Sequence, residues 1–335
     1  MEKNISVLMC VYNCEDYIEK SIKSIVNQTY KNFELIIIND GSTDSTVEKI
    51  KAFKDERIKI YDNDGNKGLP YSRDRALRLA TGEYIAIMDA DDIAAKKRFE
   101  YQVKFLENNK DIAVVASNMI EFSNRMIKRF RVYYEDYEKT KIFLMYKNCI
   151  PNSAAMIRKE FIDTNNIKYR KEYFVLQDYA FWADCSKYGK IAVLNRFLLF
   201  YRTEHNNITS RSKKEKMEQR NKLLDIIHER LLRQNGFVLE DEEINILNDG
   251  LREKNLFLED DLINFNNILE KLKLINLEKS IFNINKFNEI SNKIFLEVIK
   301  ESKCSKKIKL KSIFTKSNEF KLKDKIIATI KIILK

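Results

Sequence analysis

Apolar and polar positions along the first hundred-odd residues follow two rhythms. Short, nearly continuous apolar runs at residues 6–11, 33–38, 58–61, 84–88 and 112–116 suit buried strands. Between them the spacing turns helical. Ile18, Ile22, Ile25 and Val26 share one face of a helix that Asn13 can cap. Ser42 can cap a second helix carrying Val47 and Ile50, and Pro70 suits the first turn of a third holding Ala76, Leu77 and Leu79. A fourth is expected over residues 97–108. This alternation predicts an α/β fold, a mainly parallel sheet flanked by helices. From 130 to 210 the pattern is mixed, with a strand expected over 154–157, a helix over 178–188 and a strand over 191–201. Past Lys213 strand signals fade, and Leu, Ile, Asn, Lys and Glu recur at helical spacing. Two regions are expected: an α/β domain over 1–212 and an all-α region over 213–335.

Composition narrows the class. The chain has 335 residues, 44% of them hydrophobic, so it can bury a sizeable core, and 7 Gly with 2 Pro argue against disorder or a collagen-like chain. The five cysteines are scattered, and Cys10 and Cys14 lack the second close pair of a zinc site. Reduced thiols, an N-terminus without the apolar core of a signal peptide, and no apolar run near the ~20 residues of a spanning helix predict a cytoplasmic location. The net charge is +11, but residues 302–335 hold eleven lysines against Glu319 and Asp324, a net of +9. The excess is therefore a local basic element, and no nucleic-acid partner is expected.

The chemistry gathers at strand ends. Tyr84-Ile85-Ala86-Ile87-Met88 runs straight into Asp89-Ala90-Asp91-Asp92, three carboxylates in four positions. Ligands of parallel sheets bind outside the carboxyl ends of the strands, and acids this close call for a cation. Oxygen ligands favour Mg²⁺ or Mn²⁺ bridging to substrate phosphates. The second strand ends at Asp40, and the third leads to Asn66 and Arg73. Helices starting beside these positions aim their N-terminal amides at the same edge, which favours phosphate. The set describes a nucleotide-diphosphate pocket. Asp40 could accept from a base N–H, Asp89 could hold ribose hydroxyls, Asp91 could ligate the metal, and Arg73 could bind pyrophosphate or fix the acids. Taken singly, Asp40 is also a helix-entry turn, Arg73 a surface charge, and Asp91 or Asp92 a helix cap. No Gly-x-x-x-x-Gly-Lys-Ser/Thr or Gly-x-Gly-x-x-Gly loop is present, which argues against the usual NTPase and dinucleotide folds.

Four blocks in order, residues 6–13, 39–44, 66–74 and 81–92, resemble family-2 glycosyltransferases of GT-A fold, of bacterial surface-polysaccharide type. The resemblance covers roughly residues 4–210. Cys10 stands where many relatives carry Pro, and Asp74 where many carry Asn. It implies an inverting enzyme that moves a single hexose or N-acetylhexosamine from a UDP-sugar with Mn²⁺ or Mg²⁺. Val11, through its backbone, and Tyr12 would then border the base held by Asp40. Asn66 and Arg73 would line the nucleotide pocket, Asp89 and Ala90 would meet the ribose side, and Asp91 would bind the metal.

Inversion needs a base facing the leaving group. Leu176-Gln177-Asp178-Tyr179 resembles the family's Glu-Asp motif, with Gln177 in place of Glu, and makes Asp178 the expected base. A plain helix cap is the alternative for that residue. Residues 201–210 resemble the closing segment. His205 is a candidate for the metal or the diphosphate, and Arg202 and Ser210 are candidates for phosphate. Asn152 and Ser153 are candidates for acceptor contact. The only tryptophan, Trp182, is not preceded by Arg, so the Gln-x-x-Arg-Trp mark of processive synthases is missing.

Residues 321–335 place Leu322, Ile326, Ile327, Ile330, Ile333 and Leu334 on one side of a helix. Lys321, Lys325, Lys331 and Lys335 lie on the other, with Lys323 and Ile332 as exceptions. Such a helix can lie on an anionic membrane, at the inner face of the cytoplasmic membrane, or pack on its own protein or a homodimer partner. The first option implies a lipid-linked oligosaccharide acceptor. The competing reading of the whole chain is a non-catalytic sugar-nucleotide-binding membrane or assembly module.

Overall fold

The apolar runs become strands whose side chains are buried on both faces. In the computed structural model, which describes residues 3–123, 126–131, 133, 136–203, 216–252, 254–315 and 320–333, nine strands form one sheet. They are β1 (Ile5–Val11), β2 (Phe33–Asn39), β3 (Ile58–Asp62), β4 (Tyr84–Ile87), β5 (Ile93–Ala94), β6 (Ile112–Ser123), β7 (Met126–Arg131), β8 (Met156–Arg158) and β9 (Lys190–Arg202). Their order is β3-β2-β1-β4-β8-β6-β9-β5, with β7 paired to β6. The pairs β3/β2, β2/β1, β1/β4 and β6/β9 are parallel. β8 runs antiparallel to both β4 and β6. The expected mainly parallel α/β sheet with a helical C-terminal region is what the chain forms.

The connections are helices α1 (Ile18–Val26), α2 (Thr46–Lys51), α3 (Leu69–Leu79), α4 (Arg98–Asn108), α5 (Tyr137–Leu144), α6 (Lys159–Thr164) and α7 (Gln177–Tyr188). Pro70 opens α3 as its position suggested. Asn13 does not cap α1. It adopts φ 46° and its Oδ1 accepts from the Thr43 amide at 2.8 Å, tying the β1 and β2 exits together. The strand expected over 154–157 is shortened, because Asn152–Ala154 form a 3-10 turn before β8.

The amino end of the sheet is locked by a satisfied carboxylate. Glu34 accepts from Ser6 Oγ at 2.6 Å, Lys59 Nζ at 2.7 Å and Thr81 Oγ1 at 2.7 Å. Burial alone would raise its carboxyl, but the bonds from Lys59, Ser6 and Thr81 overcome this and hold it down at about 2. Gly82 closes the same corner with its amide on Ser6 Oγ at 2.8 Å.

The chain divides into two compact units, Met1–Thr140 with Cys149–Leu223, and Lys141–Asn148 with Leu224–Lys335. The second unit draws on helices α8 (Met217–Gln234), α9 (Asp241–Arg252), α10 (Glu259–Lys279), α11 (Ile284–Glu301), α12 (Lys306–Thr315) and α13 (Leu322–Ile333). Its core includes the stacked rings of Phe237 and Phe287, 5.2 Å apart, with Phe282 beside both. His228 Nδ1 and Asn248 Oδ1 bond at 2.9 Å within that core.

A Cβ on Gly82 would meet the Ser6 nitrogen at 2.6 Å and the Asn4 carbonyl oxygen at 2.8 Å. Both are backbone atoms and cannot step aside. Gly82→Ala is expected to lose about 1–3 kcal/mol of stability, read as a lower urea midpoint at unchanged slope.

Candidate active site

Parallel pairing sets Val11 beside Asn39 and Asn39 beside Asp62, so the strands β1, β2 and β3 end level. Asp40 follows β2 and is buried. Its Oδ1 accepts from the Lys67 amide at 2.9 Å and Asn63 Nδ2 at 2.7 Å, and its Oδ2 accepts from the Gly68 amide at 2.9 Å. Its own amide donates to the Val11 carbonyl at 2.9 Å. Asp40 therefore shapes the 63–68 loop, on which Asn66 stands exposed. Gly41, at φ +82°, lets that loop approach: a Cβ there would sit 3.0 Å from the Asn66 nitrogen. Tyr12 is exposed at the same edge.

Arg73, on α3, is buried and reaches in two directions. Nη2 donates to Asp89 Oδ1 at 2.5 Å and Nη1 to Gln177 Oε1 at 2.8 Å. The other oxygen of Asp89 accepts from Ser153 Oγ at 2.6 Å, and the Asp89 carbonyl accepts from Ser21 Oγ at 3.2 Å. Asp89 is thus fixed from α3, α1 and the turn before β8. Ala90 is buried beside it. Asn152, next to Ser153, has both amide atoms buried without a hydrogen bond, and nothing in the structure accounts for this.

The remaining acids are not neutralised in this way. Burial, then repulsion from Asp89, pushes the Asp91 carboxyl up to about 6. Asp92 is fully buried. Its Oδ1 accepts from the Arg202 amide at 3.0 Å, and its Oδ2 has no partner. Burial and the two neighbouring carboxylates raise it well above the usual range. Beneath the cluster, Arg98 is fully buried and donates to the carbonyls of Ile87 and Ala155 at 2.9 and 3.1 Å. Burial pushes its guanidinium down to about 9. Arg202 lies between the rings of Tyr17 and Phe122, 4.6 Å from each, with Nε on the Asp91 carbonyl at 2.9 Å.

Asp178 occupies the first turn of α7, next to Gln177. Burial raises its carboxyl, and Arg73 and the Tyr179 amide offset part of that. Tyr169 and Arg220 also lie within electrostatic range of it. Trp182 is wholly buried, a core residue. Cys10 and Cys14, both pushed up to about 12 by burial, are poor nucleophiles. His205 and Ser210 lie outside the described residues.

The structure thus gathers Val11, Asp40, Arg73, Asp89, Ala90, Asp91 and Arg202 along one sheet edge, and Arg73 links Asp89 to the residue preceding Asp178. Sequence reasoning missed Arg98 and Arg220, and it missed the parts played by Ser153 and Gln177. Two charged residues on helices beyond the motifs, Arg98 and Arg220, gave no local signal.

A family model, glycosyl transferase family 2, matches residues 6–165. An uncharacterized glycosyltransferase of Methanocaldococcus jannaschii is 36% identical over 221 residues, 64% of this chain and 76% of the relative. The chain belongs to glycosyl transferase family 2. This family 2 glycosyltransferase is also 31% identical over 233 residues, 66% of its length, to WfaP of Escherichia coli, 86% of which is covered. WfaP is named as a UDP-Glc:alpha-D-GlcNAc-diphosphoundecaprenol beta-1,3-glucosyltransferase. Among solved structures, Staphylococcus aureus TarS 1-349 in complex with UDP superposes with a TM-score of 0.57 at 17% identity, over 97% of this chain and 90% of that one. The mannosyltransferase PcManGT of Pyrobaculum calidifontis, in complex with GDP-Man and Mn²⁺, gives 0.55 at 15%, over 81% and 75%. These two likenesses show the fold, a GT-A-like sheet.

The raised Asp91 carboxyl has a checkable sign. Above about pH 6 the folded state carries a repelled, partly desolvated charge that the unfolded chain does not feel. That destabilisation fades as the pH falls from about 6 toward the ordinary Asp value of about 4. Asp91→Asn is therefore expected to be more stable than the parent at pH 7–8 without added divalent ion, with the gap in melting temperature closing by about pH 4.

Proposed function

We propose that the chain transfers a single hexose or N-acetylhexosamine from a UDP-sugar to a lipid-linked oligosaccharide, with inversion and with a divalent cation. The observation that carries this reading is the Asp89–Arg73–Gln177 bridge. It sets the acids at the end of β4 and the first turn of α7 on either side of one buried guanidinium. Asp40 and the loop it shapes take the uracil base, with the Val11 backbone and Tyr12 beside it. Asn66 closes over the nucleotide, and Asp89 with Ala90 meets the ribose.

The acid cluster suits a hard cation. Among the described residues no three His, Cys, Asp or Glu side chains form a ready ligand set. Mg²⁺ and Mn²⁺ sites of this kind need only one or two carboxylates, the rest being diphosphate oxygens and water. Asp91 is the ligand its chemistry fits: it is repelled by Asp89 and relieved by a positive charge. His205 is retained as a second candidate. The cation, when bound, withdraws charge from the leaving diphosphate. Arg202, beside Asp91, and Ser210 are proposed as further phosphate contacts.

Asp178 is proposed as the base. Burial raises its proton affinity, which favours accepting a proton from the acceptor hydroxyl as that oxygen attacks the anomeric carbon. Arg73 offsets part of that rise. The acceptor assignment is supported by WfaP and a second Escherichia coli relative, WfgD, both named for diphosphoundecaprenol-linked acceptors. The donor assignment is supported by these names and by the UDP-GlcNAc complex of TarS.

Slow hydrolysis of a panel of UDP-sugars, with GDP-mannose as the control, tests the reading. Activity should stop with chelator and return with Mn²⁺ or Mg²⁺. Asp178→Asn should lower kcat by about 10²–10⁴-fold with donor affinity retained. Full turnover in that variant would remove Asp178 from the mechanism. A chain that binds UDP-sugars but turns none over, with any acceptor tried, would favour the non-catalytic module. Gln177→Glu should stay active, with the acidic limb of its kcat profile moved to higher pH. A new negative charge on Arg73 weakens the hold of that guanidinium on the Asp178 carboxylate.

A further inference from the structure

The C-terminal helix α13 does not bury the stripe its sequence marks as apolar. Ala328 and Ile332 face inward, 1% and 3% exposed, on the side that also carries Lys321 and Lys325. Leu322, Ile326, Ile330 and Ile333 point away from the unit, 48–72% exposed, with Ile327 next to them at 39%. Phe314, on the preceding helix α12, is exposed as well, and Lys325 Nζ lies 5.0 Å from its ring centroid. Scattered exposed apolar residues are ordinary, but four at spacings of four, four and three on one helix form a continuous stripe. Lysines border it: Lys323 and Lys331 on the same helix are exposed, and Lys306 Nζ bonds the Ile333 carbonyl at 3.1 Å. Among the described residues no helix is long and apolar enough to cross a membrane.

We propose that α12 and α13 form a docking surface for an anionic lipid bilayer. The Leu322–Ile326–Ile330–Ile333 stripe would enter the headgroup boundary, and the flanking lysines would meet lipid phosphates. An apolar stripe with a basic border is complementary to a bilayer surface carrying negative headgroups. A second copy of this chain would bring the same lysines face to face, so the charge argues against self-association through this face. The residues of this surface are none of those assigned to the donor or the base, and the proposal stands independently of those assignments.

The full chain is to be floated with phosphatidylcholine vesicles, with and without about one-third phosphatidylglycerol. The bound fraction should rise at least about tenfold with the anionic lipid and fall again in high salt. Ile326→Glu combined with Ile330→Glu changes two exposed positions. It should abolish flotation while leaving circular dichroism and melting temperature unchanged. Lys323→Glu with Lys331→Glu, which leaves the apolar stripe intact, should weaken binding to the anionic vesicles alone. Absence of flotation, equal binding to both vesicle types, or full binding by both variants would overturn the proposal. So would a dimer in light scattering that Ile326→Glu with Ile330→Glu converts to monomer.

Discussion

One buried guanidinium organises the candidate site of this protein. Arg73 directly bonds the Asp89 carboxylate, and its second arm holds the helix that carries Asp178. Its two partners come from segments 88 residues apart in the chain. A neutral partner at Gln177 adds no third carboxylate to Asp89 and Asp178 around the charge of Arg73. A carboxylate in that place would have shared it. The geometry of the pocket and the proton affinity of the proposed base therefore depend on the same side chain.

The two ends of the sheet show opposite electrostatic strategies in one scaffold. At the amino end Glu34 is surrounded by donors and its carboxyl falls to about 2. At the carboxyl end Asp91 is buried and then crowded by a like charge, and its carboxyl rises to about 6. The first arrangement stabilises the fold and the second holds unrelieved repulsion. That repulsion is useful only where a ligand brings the missing positive charge. Arg98, buried beneath the acids, sits too deep to relieve them fully and instead bonds the carbonyls of Ile87 and Ala155.

Much of this was legible in the sequence, for a physical reason. Strands buried on both faces must be nearly all apolar, so β1, β2, β4 and the start of β6 announce themselves, and acids directly after them land at a strand end. The direction of β8 left no trace, because three residues carry no signal of which way they run. The helix entry at Asn13 misled: its side chain serves the neighbouring exit loop at Thr43, which only the parallel pairing of β1 and β2 brings near. The bond from Arg73 to Gln177 spans 104 residues, beyond any local pattern. The amphipathic spacing of α13 was visible, but which side packs inward depends on tertiary contacts. Ile332, an exception on the helical projection, proved to be the buried anchor.

The reversed direction of β8 has one more implication. Because Met156 and Ile157 pair with Ala86 and Ile85 on one side and with Val115 and Val114 on the other, the position of Ser153 is set by ladder register. The length of chain leading up to it does not enter. The helix α5 and the residues after it answer to other contacts: Ile142, Leu144, Met145 and Tyr146 are buried, and Lys141–Asn148 belong to the second unit. Register and packing are thus divided between different residues: the ladder sets the hydroxyl on Asp89, and buried side chains set the helix before it.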